Sequence, residues 1–147
     1  MIRPLELGDY NKNFIYLLNQ LTNKEKSGSE FLNFSQQFYL IKQNPNHHCY
    51  VMTDLESGLI IATGTLLIEP KFIHHFSFVG HLEDIVVDNK YQGQGLGKKM
   101  IKYLIRKAQK CNCYKIILSC SEETKQFYYK CGLTQKKNNL EMSFYFN

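Results

Sequence analysis

The sequence predicts an α/β chain of the α+β type: one mixed sheet covered by helices, in a single domain over residues 1–147. Three observations carry that reading. The apolar spacing switches between strand and helix periods along the chain, in the order β α α β β β α β α β. Two strand-like runs are joined by Asp54-Leu55-Glu56-Ser57-Gly58, whose turn chemistry makes them an antiparallel hairpin. A further run, Asp84-Ile85-Val86-Val87, leads through a short polar loop and the glycine-rich Gln92-Gly93-Gln94-Gly95-Leu96-Gly97 into a helix.

Taken in order, Ile2–Leu7 alternates as a first strand, with Pro4 suited to a sheet edge. Asp9 reads as the N-cap of a helix over Tyr10–Leu21, marked by Phe14, Leu17, Leu18 and Leu21. Thr22–Gly28 is polar and loop-like. Ser29 caps a second helix with Phe31, Phe34, Phe38 and Ile41 on one side, ending near Asn44-Pro45. His48–Thr53 and Leu59–Ile68 are the hairpin strands, and Glu69-Pro70 breaks the second. Lys71–Val79 is less regular. Read as a strand, it points His74 and His75 to opposite faces, so they share no ion easily, and a zinc site needs further ligands. No metal is expected.

Gly80-His81-Leu82 then leads to two adjacent carboxylates, Glu83 and Asp84, beside the central strand. Either they are a solvated strand end, or one side chain faces a cationic substrate. The helix after the glycines places Leu96, Met100, Ile101, Leu104, Ile105 and Ala108 on one face. Its polar face carries Lys98, Lys99, Lys102, Arg106, Lys107 and Lys110. Tyr114–Leu118 is a short buried strand and Ser119–Thr124 a polar connection. Lys125–Lys130 is a short helix that Cys131-Gly132 ends, and Leu140–Phe146 is a final strand.

Composition bounds the class. A chain of 147 residues with 44% hydrophobic and 21% charged residues suits one core rather than a disordered chain. No apolar run approaches the roughly 20 residues that span a bilayer, and Met1-Ile2-Arg3-Pro4-Leu5-Glu6 has no signal-peptide core. The odd set Cys49, Cys111, Cys113, Cys120 and Cys131, without metal-type spacing, suits reduced thiols in the cytoplasm. The net charge of +5 suits an anionic small molecule, though solvated lysines account for most of it. No aromatic-plus-basic module supports nucleic-acid binding.

A strand, a glycine turn and a helix start make an anion cradle. Glycines let the backbone approach a ligand, and helix N–H groups with the helix dipole attract negative charge. A P-loop needs Ser or Thr where Lys99 follows Gly97-Lys98, and the dinucleotide fingerprint needs a different glycine spacing. Gln92-Gly93-Gln94-Gly95-Leu96-Gly97 is similar to Q/R-x-x-G-x-G/A, the acetyl-CoA pyrophosphate loop of the GNAT acetyltransferases.

The likeness extends well beyond that loop. Gly80–Val87, Tyr91–Lys98, Cys113–Leu118 and Phe127–Gly132 closely resemble the glucosamine 6-phosphate N-acetyltransferases, as do Ala62–Thr65 and Glu69–His74. The resemblance implies a GNAT fold, with a mixed, mostly antiparallel central sheet flanked by helices. It implies acetyl transfer from acetyl-CoA to the 2-amino group of glucosamine 6-phosphate, a step toward UDP-N-acetylglucosamine. It also implies a homodimer whose active sites borrow from the partner chain. By the same resemblance, backbone groups of Ile85, Val86 and Val87 hold the pantetheine. Amides from Gly93, Gln94, Gly95, Leu96, Gly97 and Lys98, in the loop that Gln92 opens, hold the pyrophosphate. Glu83 and Asp84 line the amine pocket, while Lys71, His74, Tyr114, Lys115 and Thr22 meet the sugar phosphate.

Chemistry gives those roles sense. The amine must be neutral to attack a thioester, so a carboxylate that holds the ammonium can accept its proton. Glu83 is expected there, with Asp84 orienting the sugar. Tyr128 is expected at the CoA sulfur, to stabilise or protonate the departing thiolate; otherwise it is a core aromatic of its helix. A strand N–H near Ile85 meets the oxyanion. Cys120 reads as a packing residue rather than a nucleophile. The chain departs from the family at Ser119, where Asp or Glu is frequent, and near Tyr145, where Arg is frequent. Glu122 and Glu123 are candidates for the lost charge. A GNAT enzyme for a different amine, or an acyl-CoA-binding module without turnover, stays open.

Overall fold

A computed structural model describes residues 1–22, 30–136, 142, 143 and 145. Its sheet runs in the spatial order β1-β2-β3-β4-β5. The strands are β1 (Ile2–Pro4), β2 (His47–Thr53), β3 (Ile60–Pro70), β4 (Phe78–Val87) and β5 (Cys113–Ile117). Three pairings are antiparallel, and β4 with β5 is parallel. The helices are α1 (Phe14–Thr22), α2 (Glu30–Gln43), a single turn α3 (Ile73–Phe76), α4 (Leu96–Lys110) and α5 (Glu122–Lys130).

The hairpin forms as its turn predicts, with Asp54 Oδ2 accepting from the Ser57 N–H at 3.1 Å and the Ser57 hydroxyl at 2.6 Å. Strand β3 is buried from Ile60 to Leu66 because both of its faces are covered. On one side Phe14 and Leu17 of α1 pack with Val51 and Ile60. On the other, Met100, Ile101, Leu104 and Ala108 of α4 pack with Ala62, Leu66 and Leu82. The amphipathic stripe of α4 is therefore the core of that layer, as its period requires. The parallel β4–α4–β5 connection follows from the helix crossing back over the sheet.

The beginning of the chain differs from expectation. Strand β1 ends at Pro4 rather than Leu7, and a 3-10 turn spans Leu7–Asn11. Asp9 does not cap a helix over Tyr10–Leu21. It is fully buried and bound by both guanidinium nitrogens of Arg3 at 2.7 Å and by the Glu6 N–H at 2.9 Å. Asn13, at φ 74°, interrupts the chain before α1 starts at Phe14. Thr22 ends α1 instead of opening a loop. In α2, Phe38 is buried, whereas Phe31 is 49% exposed and meets Tyr10 edge-on at 5.1 Å. The Ser29 cap lies outside the described residues, as does most of the expected loop up to Gly28 and the expected strand Leu140–Phe146, apart from Met142, Ser143 and Tyr145.

Three further corrections concern the C-terminal half of the sheet. His74 and His75 are not on a strand; with Phe76 they form a left-handed turn at φ 54°, 59° and 58°. Strand β5 is not buried: Tyr114 and Ile117 are exposed, because β5 borders only β4 among the described residues. Helix α5 starts at Glu122, three residues before Lys125, where the Ser121 hydroxyl accepts from the Thr124 N–H.

Candidate active site

The site begins where β4 and β5 part. Their ladder ends at His81↔Ile117, yet β4 continues to Val87. Beside β3, the register moves from Thr63↔Val86 to Thr65↔Glu83, so β4 carries an extra residue opposite Gly64. Asp84 takes the extra position at φ 50°. Such a bulge bends a strand and raises its twist. Gly64 makes it possible: a Cβ there would stand 2.9 Å from Ile85 Cδ1 and 3.0 Å from Leu104 Cδ1. Ile85 thereby tucks over β3 against the core, and β4 bends away from β5.

The end of β4 feeds the glycine turn. Asp88 accepts from the Lys90 N–H at 3.0 Å, opening a 3-10 turn at Asn89–Tyr91. Gln92 Nε2 donates to Asn89 Oδ1 at 2.8 Å and to the Val87 carbonyl at 3.3 Å. Gly93 and Gly95 then take φ 79° and 76°, a left-handed conformation that glycine adopts without strain. Gly95 is the N-cap of α4. Neither glycine has a heavy atom within 4 Å of where a Cβ would lie, so the space over the turn is open there. Gly97 serves a different end: its missing Cβ makes room for Phe127 of α5.

Between β4, β5 and α5 lies a cleft of about 410 Å³. Among the residues that line it are His81 and Glu83 from β4, Lys115 from β5, Ser119, Cys120, and Tyr128 from α5. Tyr128 is half-buried, and its ring meets Phe127 edge-on at 5.0 Å. Burial, with the nearby Cys120 and Cys131 thiols, pushes the Tyr128 phenol above its ordinary value. The phenol thus keeps its proton throughout the neutral range and is a hydrogen-bond donor there.

Of the predicted polar residues, Glu83, Lys115 and Tyr128 meet in this cleft. His74 and Tyr114 do not line it; their rings lie 4.4 Å apart, tilted by 37°, and the Lys115 ammonium lies 5.4 Å from the Tyr114 centroid. Lys71 is engaged by Glu69. Asp84, Ile85, Val86, Val87 and the Gln92–Lys98 turn do not line the cleft; they belong to the strand edge and helix start at its end. Thr22 is not brought to it either, and its hydroxyl turns back to the Leu18 carbonyl at 3.4 Å. Of the candidate replacement carboxylates, Glu122 lines the cleft, paired with Lys125 at 3.2 Å, and Glu123 does not. Two residues escaped the sequence reading. His81 lines the cleft and reaches Glu69 Oε2 through Nε2 at 2.9 Å. Its signal is the period of two: positions 81 and 83 share a strand face. Glu69, held below its ordinary value by Lys71 and then by its hydrogen bond with His81, ties the two side chains together.

Known proteins with this arrangement agree on its type. A model of the acetyltransferase (GNAT) family matches residues 15–133. Glucosamine 6-phosphate N-acetyltransferase of Arabidopsis thaliana is 42% identical over 147 residues, covering 99% of this chain and 96% of that protein. Glucosamine 6-phosphate N-acetyltransferase 1 of Oryza sativa subsp. japonica is 40% identical, covering 99% and 86%. The crystal structure of the Arabidopsis thaliana enzyme superposes with a TM-score of 0.92 at 40% identity, over 100% of this chain and 98% of that one. The chain belongs to the acetyltransferase (GNAT) family, among relatives named glucosamine 6-phosphate N-acetyltransferase.

Proposed function

We propose that the chain transfers the acetyl group of acetyl-CoA to the 2-amino group of glucosamine 6-phosphate, giving N-acetylglucosamine 6-phosphate and CoA. The observation that carries this reading is the parting of β4 from β5 in the strand that leads into the glycine turn, with Glu83 and Tyr128 both lining the opening. The open, left-handed Gly93 and Gly95 fit a pyrophosphate against the N–H groups of Leu96 to Lys98. The edge of β4 from Ile85 to Val87 fits an extended pantetheine arm as an added strand.

Acetyl-CoA supplies the thioester carbon that is attacked. The residues of the chain do the rest. Glu83 holds the acceptor ammonium and takes its proton, directly or through water, which frees the nitrogen lone pair. The nitrogen adds to the carbonyl carbon in one complex of both substrates. The tetrahedral adduct then breaks its carbon–sulfur bond as the nitrogen loses its second proton, which passes to the departing sulfur so that CoA leaves as the thiol. An N–H near Ile85 meets the oxyanion. The protonated Tyr128 donates to the departing sulfur. Asp84 orients the sugar, and Lys71, His74, Tyr114 and Lys115 receive its phosphate. Holding both partners in register removes much of the entropic cost of the encounter.

The proposal extends to a single cytoplasmic domain over residues 1–147, acting as a homodimer in UDP-N-acetylglucosamine biosynthesis, with no metal, nucleic acid or membrane. Ser119, which lines the cleft where the family often carries a carboxylate, favours a second reading: a GNAT transferase for another amine. Release of free CoA from acetyl-CoA decides between them, with glucosamine 6-phosphate run beside glucosamine and a panel of small amines. Rapid release with the phosphorylated sugar alone supports the first reading. Equal rates without the phosphate, or release only with another amine, overturn it.

A further inference from the structure

The glycine turn cannot hold itself in place. Gln92, Gly93, Gln94 and Gly95 are exposed, and the two glycines have no packing neighbours where a side chain would be. Its geometry must be set by what precedes it and by α4 behind it. What precedes it is tied to the start and the far end of α1 by side chains that the chemistry above leaves unused.

Asp88, at the end of β4, is 3% exposed. Its Oδ2 accepts from Asn13 Nδ2 at 3.0 Å while its Oδ1 caps the turn at Lys90. Asn13 does this from its left-handed backbone, and the same Nδ2 reaches the Ile60 carbonyl at 3.2 Å. About two turns further along, Gln20 Oε1 accepts from the Asn89 N–H at 3.0 Å. The Gln20 Nε2 is buried without a partner among the described residues. That side chain is thus held for its oxygen, at the cost of an unsatisfied donor. Asn89 then receives Gln92, whose amide also reaches the Val87 carbonyl. One connected path runs from α1 through Asp88 and Asn89 to the first residue of the glycine turn.

We propose that Asn13 and Gln20 are positioning residues for pyrophosphate binding: they fix the Asp88–Gln92 segment so that the amides of the glycine turn stand ready for the anion. This rests on the acetyl-CoA reading of that turn. A donor placed before binding costs less to engage than one that must be ordered by the ligand. Losing either tether therefore weakens only ligands that carry the pyrophosphate.

The test compares CoA binding by calorimetry, turnover with acetyl-CoA, and turnover with S-acetylpantetheine, which lacks the pyrophosphate and nucleotide. Asn13→Gly keeps the left-handed backbone and removes the amide; Gln20→Met keeps length and removes the acceptor. Each should weaken CoA and raise the KM for acetyl-CoA about tenfold, on the order of one well-placed interaction. The kcat, and kcat/KM for S-acetylpantetheine, should stay at wild-type values. Wild-type affinity for CoA in both variants overturns the proposal, as does an equal loss with both acetyl donors, which marks a merely structural role. If Asn13→Gly does not fold, Gln20→Met decides by the same comparison. A wild-type protein that uses the two donors equally well overturns the pyrophosphate reading itself, and the positioning role with it.

Discussion

Phe127 of α5 lies over Gly97 of α4 so closely that a Cβ at position 97 would stand 3.0 Å from the Phe127 Cζ. This contact docks α5 on the first turn of α4 and carries the next residue, Tyr128, into the cleft beside Glu83. The third glycine of the turn is thus a packing residue, unlike Gly93 and Gly95. Gly97→Ala should overpack the contact and cost about 1–3 kcal/mol. The Tm should fall by about 2–4 °C per kcal/mol, and kcat should fall as Tyr128 shifts. Adding Phe127→Leu should restore both, which thermal melts and turnover of the single and double variants read directly. An unchanged Tm with weakened CoA binding would mean that the missing Cβ makes room for the ligand and not for Phe127.

Glu83 should separate chemistry from binding. It lines the cleft on the face of β4 that it shares with His81, not among the glycine-turn residues. Glu83→Gln keeps the size and removes the proton acceptor, so kcat should drop by about 10²–10⁴. The KM for acetyl-CoA should hold within about twofold, because uniform binding is untouched. Steady-state kinetics with both substrates varied give the two numbers, and a wild-type kcat would remove Glu83 from the proton transfer.

Tyr128 makes a claim about pH. Burial raises the phenol above its ordinary value of 10.0, and the donor form is the one that exists below the folded value. Its contribution to kcat should therefore be constant from neutral pH up to the ordinary tyrosine range and disappear only above it. Tyr128→Phe should lower kcat by about tenfold or more at every pH in that plateau, with the shape of the profile unchanged. A loss that appears only at alkaline pH would mean that the phenol titrates earlier and acts as a base.

What could be read from the sequence is what rests on local pattern. The turn residues Asp54–Gly58 make their hairpin from side chains within reach of their own backbone, and the stripe of α4 needs only its period. Gly93 and Gly95 announce themselves because few other residues tolerate φ near 75°. The features that escaped are non-local. Asn13 breaks the first helix because Asp88 and Ile60, far along the chain, receive its amide. Asp84 bulges because Gly64 leaves space for Ile85. His81 enters the cleft because β5 diverges past Ile117. None of these partners lies within a window that periodicity can scan.

Arg3 and Asp9 give the fold a defined dependence on acid. Burial pushes the Asp9 carboxyl up, but the Arg3 hydrogen bonds, the Glu6 N–H and the charges of Arg3 and Lys12 outweigh it, so the net shift is downward. A depressed folded value means that the unfolded chain binds the proton first. The stabilisation is then complete above the ordinary value of 3.8 and is lost as pH falls through the lower folded value. Arg3→Met should reverse the sign, because it removes the hydrogen-bonded cation from a fully buried carboxylate and leaves only the more distant Lys12, 3.8 Å from Oδ1. That should cost about 3–5 kcal/mol near neutral pH, and protonation of Asp9 should relieve the cost as the pH is lowered. Thermal melts from pH 7 to pH 4 should show the gap between wild type and Arg3→Met narrowing toward acid. Arg3→Met with Asp9→Leu should close most of the gap at pH 7, since an apolar pair needs no counter-charge. A gap that stays constant across that range would mean that Arg3 stabilises the fold through packing and not through the Asp9 charge.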